Sequence, residues 1–178
     1  MESTTQIFLR VQVTDNDDDF VAGESKVGEY ADRVQINSFD FKASQPQMSA
    51  SNRAGQPSRM FLDTVKASKF FDKTSLRFDQ LMKDKKVLCE VRITVDQHLW
   101  DEDKTKTQNS IIVFHLLQAK IVEISLDASE ADKGTSLKET LEFGFVNFSV
   151  DYYFHESDAN ADYRDRGVSF FTAYDPQK

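Results

Sequence analysis

The sequence predicts a mainly β domain: a small closed or nearly closed β-barrel of two packed sheets with one α-helix on its side. Three observations lead there. Apolar residues alternate with polar ones over several short runs, the period of half-buried strands. A single stretch, containing Leu76, Phe78, Leu81 and Met82, has helical spacing instead. Fifteen Phe among 178 residues, against six Gly and three Pro, suit a well-packed core rather than a disordered chain.

The elements follow in order. Ile7, Leu9, Val11 and Val13 alternate as a first strand, which the acidic run Asp15 to Asp19 ends. A second strand covers about Arg33 to Lys42. Val34 and Ile36 share one parity and Phe39 and Phe41 the other, so a bulge near Asn37 and Ser38 is expected. Residues 43–59 lose all periodicity and form a long polar loop containing Pro46, Gly55 and Pro57. Met60 to Val65 reads as a short strand. The helix is expected over about Ser75 to Lys85, with Ser75 as N-cap and Lys83, Lys85 and Lys86 near its negative end. Val87, Cys89, Val91, Ile93 and Val95 alternate cleanly. Ile111 to Leu117 is apolar on both faces, as in a central strand, and Ile121 to Leu126 continues it or pairs nearby. Asp127 to Lys138 is polar; Val146, Phe148, Val150, Tyr152 and Phe154 then alternate, and a last strand spans Val168 to Tyr174. With no internal repeat and no linker, residues 1–178 read as one domain. A chain of this length buries roughly 70% of its unfolded surface, enough for a core without metal or disulfide.

Composition excludes several function classes. The net charge of −8 opposes a phosphate-binding surface, so nucleic acid is not an expected partner. The first residues hold neither a basic region nor a long apolar run, and no stretch approaches the roughly 20 apolar residues that span a bilayer. A soluble protein made in the cytoplasm, exported if at all by another machine, is the expectation. The lone Cys89 cannot form an internal bridge and falls on the apolar parity of its strand, which predicts a buried, inert thiol. Asp15, Asp17 and Asp19 have the spacing that opens an EF-hand loop, but Phe20 and Lys26 stand where that loop needs Gly and Glu. His98, His115 and His155 lack a partner at ligand spacing, and His115, inside an apolar strand, reads as a satisfied core or interface histidine. Trp100, followed by Asp101-Glu102-Asp103, suits either an interface anchor or a cover over the barrel end. No catalytic residue, metal site or cofactor is expected.

Three segments, in order, carry a resemblance to a known family. The first is Gly23-Glu24-Ser25-Lys26 with the strand ending Phe39-Asp40-Phe41. The second is Phe70-Phe71-Asp72-Lys73-Thr74-Ser75, leading into the helix, although Leu76 stands where the family often has Pro. The third is the block from Ile111 to Leu126, then Glu139-Thr140-Leu141 and Val150-Asp151-Tyr152. Together the three resemble the Hcp family of type VI secretion, and the resemblance spans about Ile7 to Tyr174. It departs at the acidic first loop, at Asp101 to Asn109 and at His155 to Gly167.

The resemblance implies a non-enzymatic structural subunit. Six copies would form a ring, and rings would stack into a tube inside a contractile sheath, with spike and baseplate proteins as further partners and effector proteins in the lumen. It implies secretion without a signal peptide, and delivery outside the cell or into a target cell on sheath contraction. The tail tube of a phage-like contractile particle has the same architecture; a monomeric β-barrel binding module is the remaining alternative. The resemblance also implies two sets of site residues. Ser38 and Asp40 would face the lumen, and Gln45, Pro46, Met48, Arg53, Gln56 and Arg59 would belong to a loop that joins stacked rings.

Overall fold

The computed structural model describes residues 2–44, 61–100, 107–131, 134–157 and 166–173. The first strand, β1 (Glu2–Gln12), is followed by a 3-10 turn at Gly28–Tyr30, then β2 (Val34–Ile36), β3 (Ser38–Asp40), β4 (Ala43–Ser44), β5 (Phe61–Leu62) and β6 (Val65–Phe70). Helix α1 (Lys73–Lys83) comes next, then β7 (Leu88–Trp100), β8 (Thr107–Ala131), β9 (Gly134–Gly144), β10 (Asn147–Ser157) and β11 (Arg166–Ala173).

All pairings are antiparallel, and their path runs β2-β1-β7-β8-β9-β6-β3. The two ends of that path, β2 and β3, are joined through Asn37 alone. The barrel is therefore nearly closed, with a covalent seam where hydrogen bonds stop. Asn37 helps hold it by donating its N–H to the Ser68 carbonyl at 2.7 Å. The expected bulge is thus a change of sheet: β2 pairs with β1, whereas β3 pairs with β6.

Strand β8 links the two sheets at the other side. Its first half lies between β7 and β10, and its second half pairs with β9. The change of direction falls at Gln118, whose φ of 51° lies in the left-handed region that few non-Gly residues occupy, and at a register shift between Ile121 and Glu123. The stretch Asp127 to Lys138, read as polar from sequence, includes the far end of this β8–β9 hairpin. Leu126, Asp127 and Ala128 are all exposed there, so neither face supplies an alternating signal.

Two further boundaries differ from expectation. The short strand expected at Met60 to Val65 is replaced by β5 and the longer β6, where Val65, Ala67 and Lys69 point inward and Lys66 and Phe70 outward. An inward lysine hid that alternation. The helix begins at Lys73 because Asp72, not Ser75, is the N-cap. The Asp72 side chain accepts from the Thr74 N–H at 2.8 Å, and Ser75 reciprocates from N3 by accepting the Asp72 N–H at 3.2 Å.

The core lies between the sheets and under α1. Leu9 and Val11 from β1, Val91 and Ile93 from β7, Leu116 from β8 and Leu141 and Phe143 from β9 meet Phe78 and Leu81 of the helix. Phe39 and Phe41 close one end: Phe39 lies 4.9 Å from Phe114 and Phe41 stacks on Phe148 at 4.5 Å. On the outside of β1, Phe8 is also fully buried, because Tyr30 stacks on it at 4.3 Å.

The segment carrying Tyr30 is anchored by Gly23. Its N–H donates to the Asp32 carbonyl at 2.7 Å, and Ser25 N–H to Arg33 at 3.1 Å. A Cβ on Gly23 would stand 2.1 Å from the Arg33 carbonyl oxygen, so only glycine fits without moving backbone. Gly23→Ala is expected to destabilise the fold by about 1–3 kcal/mol. A thermal melt checks this: the melting temperature should fall by several degrees, whereas Ala22→Gly next to it, at an exposed position, should have a smaller effect.

Candidate functional site

Strands β3, β6, β9 and the second half of β8 present one outward face, and its composition follows from register. Asp40 lies opposite Lys66, and Lys66 opposite Glu142; Ser38 lies opposite Ser68, and Ser68 opposite Thr140. Glu142 faces Glu123, Lys138 faces Asp127, and Lys120 faces Gly144. Four carboxylates (Asp40, Glu123, Asp127, Glu142) thus share the face with three lysines (Lys66, Lys120, Lys138). The face is almost charge-balanced although the chain carries −8.

The side chains on it are bonded across strands. Lys66 Nζ lies 3.2 Å from Glu142, and the Ser68 and Thr140 hydroxyls are 2.9 Å apart. Thr64 also donates to Glu142. That hydroxyl bond, with the lysine, holds the Glu142 carboxyl below its ordinary range, while the bond to Glu142 raises the Lys66 ammonium. Ser38 and Asp40 are exposed, and Phe39 between them turns into the core. Gln45, Pro46, Met48, Arg53, Gln56 and Arg59 lie outside the described residues. The described residues on either side of them are adjacent, because Ala43 pairs with Leu62 and Ser44 with Phe61.

Behind this face is a group that sequence reasoning missed. Lys69 is fully buried. Its ammonium contacts Asp72 at 2.8 Å, Glu139 at 3.0 Å, the Ser75 hydroxyl at 2.9 Å and the Phe70 carbonyl at 3.0 Å. Ser75 in turn donates to Glu139 at 2.8 Å. Burial works against charge on Asp72, but bonds from Lys69 and Thr74 outweigh it and hold the carboxyl below its usual range. The signal was parity: Lys69 alternates with Val65 and Ala67, and Glu139 with Leu141 and Phe143, so both belong on the inward side.

The other residues singled out from sequence do not converge on chemistry. In the acidic loop, Thr14 donates to the Asp19 carboxylate at 2.9 Å, Arg10 to the Asp17 carbonyl at 2.8 Å and Asp18 N–H to Asn16 at 3.2 Å. Cys89 is half-buried rather than buried. Its thiol donates to Asp15 at 3.1 Å, and that bond, together with some burial, pushes the thiol up from its ordinary range. The loop folds back over the start of β7, which parity alone does not reveal. His115 Nδ1 lies 2.5 Å from Glu90 and Nε2 3.1 Å from Asp151, and His98 lies 3.2 Å from Asp96. The side chains of Trp100 and His155 fall outside the description; the Trp100 backbone pairs with Glu2 and Thr107. Among the described residues no group of three His, Cys, Asp or Glu is placed to hold a metal ion.

The profile of the family described as "Type VI secretion system effector, Hcp" matches residues 8–152. The chain belongs to the Hcp family. Solved structures agree on the fold. Hcp1 from Salmonella typhimurium is 13% identical, with 92% of this chain and 99% of that one covered and a TM-score of 0.58. The secreted protein Hcp3 from Pseudomonas aeruginosa is 15% identical, covering 97% and 99% at a TM-score of 0.59. A type VI secretion system effector from Yersinia pestis is 11% identical, covering 93% and 99% at 0.59. No curated protein matches. At these identities the Hcp fold is kept while most side chains differ.

Removing the Lys69 ammonium should leave Glu139 and Asp72 without their shared partner. Lys69→Ala is expected to cost about 3–5 kcal/mol, lowering the melting temperature by more than about 6 °C. Lys69→Met with Glu139→Leu should recover much of this, because a well-packed apolar pair replaces a buried ion pair at little cost. Asp72, lower in the folded than in the unfolded chain, stabilises above the ordinary carboxylate range. That contribution is lost as pH falls through the lowered value.

Proposed function

We propose that this Hcp-family chain is a structural subunit of a type VI secretion tube: copies form hexameric rings, and rings stack. The observation that carries the reading is the family match over residues 8–152, on a barrel whose strand order is nearly closed. The tube lies within a contractile sheath above a baseplate and spike, holds effector proteins in its lumen, and leaves the cell when the sheath contracts. The role is mechanical rather than catalytic. Among the described residues no helix is long and apolar enough to cross a membrane.

The balanced outward face with Ser38 and Asp40 suits a lumen wall, since alternating charges bonded across strands keep it hydrated without one dominant sign. The loop between β4 and β5, with Gln45, Pro46, Met48, Arg53, Gln56 and Arg59, suits contact with the next ring, because Met48 offers an adaptable apolar contact and the arginines offer charge-assisted bonds.

Light scattering and negative-stain microscopy of the purified protein test the reading. Rings are expected at micromolar concentration, and a strictly monomeric mass across a broad salt range would overturn it. Shortening the loop to a few Gly and Ser should leave melting and rings unchanged, since loop closure costs only about 0.6 kcal/mol per doubling of length. Stacked tubes should disappear. Asp40→Arg should keep fold and ring but change how much effector co-purifies, and an unfolded variant would contradict the lumen assignment.

A further inference from the structure

The outer face of the large sheet carries a second charged group, at its middle. Register aligns Arg10 of β1, Arg92 of β7, His115 of β8 and Ser149 of β10 in one row. Glu90 and Asp151 lie on either side of the imidazole, Glu90 at Nδ1 and Asp151 at Nε2, at 2.5 and 3.1 Å. A carboxylate only accepts hydrogen bonds, so each of these contacts requires an N–H on the ring. Both can exist at once only when the ring is an imidazolium.

The surroundings bear on this charge. From β7, Arg92 donates to Glu90 at 2.8 Å. Burial opposes charge on Glu90, but the bonds from His115 and Arg92 outweigh it and hold its carboxyl below the usual range. A groove of about 380 Å³ opens over His115, with Tyr153 of β10 and Glu29 and Arg33 of the Gly28–Arg33 segment on its walls, so water reaches the ring. Strand β10 is attached to the rest of the sheet through β8, and β11 through β10.

We propose that His115 is a charge-gated clamp on the β10–β11 hairpin. As an imidazolium it ties β7 to β10 across β8. When it loses one proton, the remaining N–H stays on the shorter contact to Glu90, and the bare Nε2 then faces the Asp151 carboxylate lone pair to lone pair. This side-chain tie to β10 is lost while the backbone ladder with β8 remains, and the groove wall formed by Asp151 and Tyr153 loosens. The hairpin is therefore held more firmly at mildly acidic than at mildly alkaline pH.

Hydrogen exchange on the full chain tests this at about pH 5.5 and about pH 8. After correction for intrinsic rates, protection of β10 should fall about tenfold at the higher pH, while the β1–β7 pairing keeps its protection. His115→Gln should flatten the difference. Equal β10 protection at both pH values, or the same step in His115→Gln, would overturn the proposal. Should the variant fail to fold, nitrogen-15 spectra of the wild-type imidazole decide. Two ring N–H groups at the lower pH and one at the higher support the clamp, and a neutral ring at the lower pH refutes it.

Discussion

A single buried ammonium sets the relation between the helix and the barrel. Lys69 leaves β6 on the core side, reaches the N-cap Asp72 and the N3 residue Ser75 of α1, and bonds Glu139 of β9. One cation thus joins the capped first turn of the helix to β6 and to Glu139 of β9. Such a group gives little net stability over an apolar replacement, but it penalises every arrangement that leaves one member unpaired. Phe78 and Leu81 then enter the core at the positions that the capped first turn dictates.

Two of the changes of sheet that build the barrel use almost no connecting chain. At Asn37 the chain passes from the partner of β1 to the partner of β6 within one residue, and near Gln118 the long β8 bends from one sheet into the other. The chain also crosses between the sheets through the segment carrying α1, from β6 to β7, and through Phe145 and Val146, from β9 to β10. The polar outward face of β3, β6 and β9 and the histidine-bearing face of β7, β8 and β10 are on opposite sides of this core, and that separation leaves them free to serve different contacts.

Much of this was legible in the sequence. Clean alternation located β1, β7 and β10, and the aromatic parity of Phe39 and Phe41 correctly left Ser38 and Asp40 outside. Legibility failed where one residue served two layers. An inward lysine concealed β6, since binary patterning reads Lys69 as surface. Ser75 resembled a cap because it belongs to a capping box whose other member is Asp72. Cys89 followed the apolar parity, but Asp15 from a distant loop reaches it, and no local pattern encodes that approach. The ring contacts of His115 likewise join residues 25 and 36 positions away, set by register across three strands.

The bend in β8 has a mechanical side. Residues 107–131 form one continuous strand whose two halves belong to different sheets, and β9 followed by β10 accompanies it along one edge. A pull along β8 is shared by many backbone hydrogen bonds lying across the direction of load. These must yield together in shear rather than peel open one at a time. The strand therefore acts as a strut: force applied to one sheet is delivered to the other through covalent bonds, without stretching a loop or opening the core.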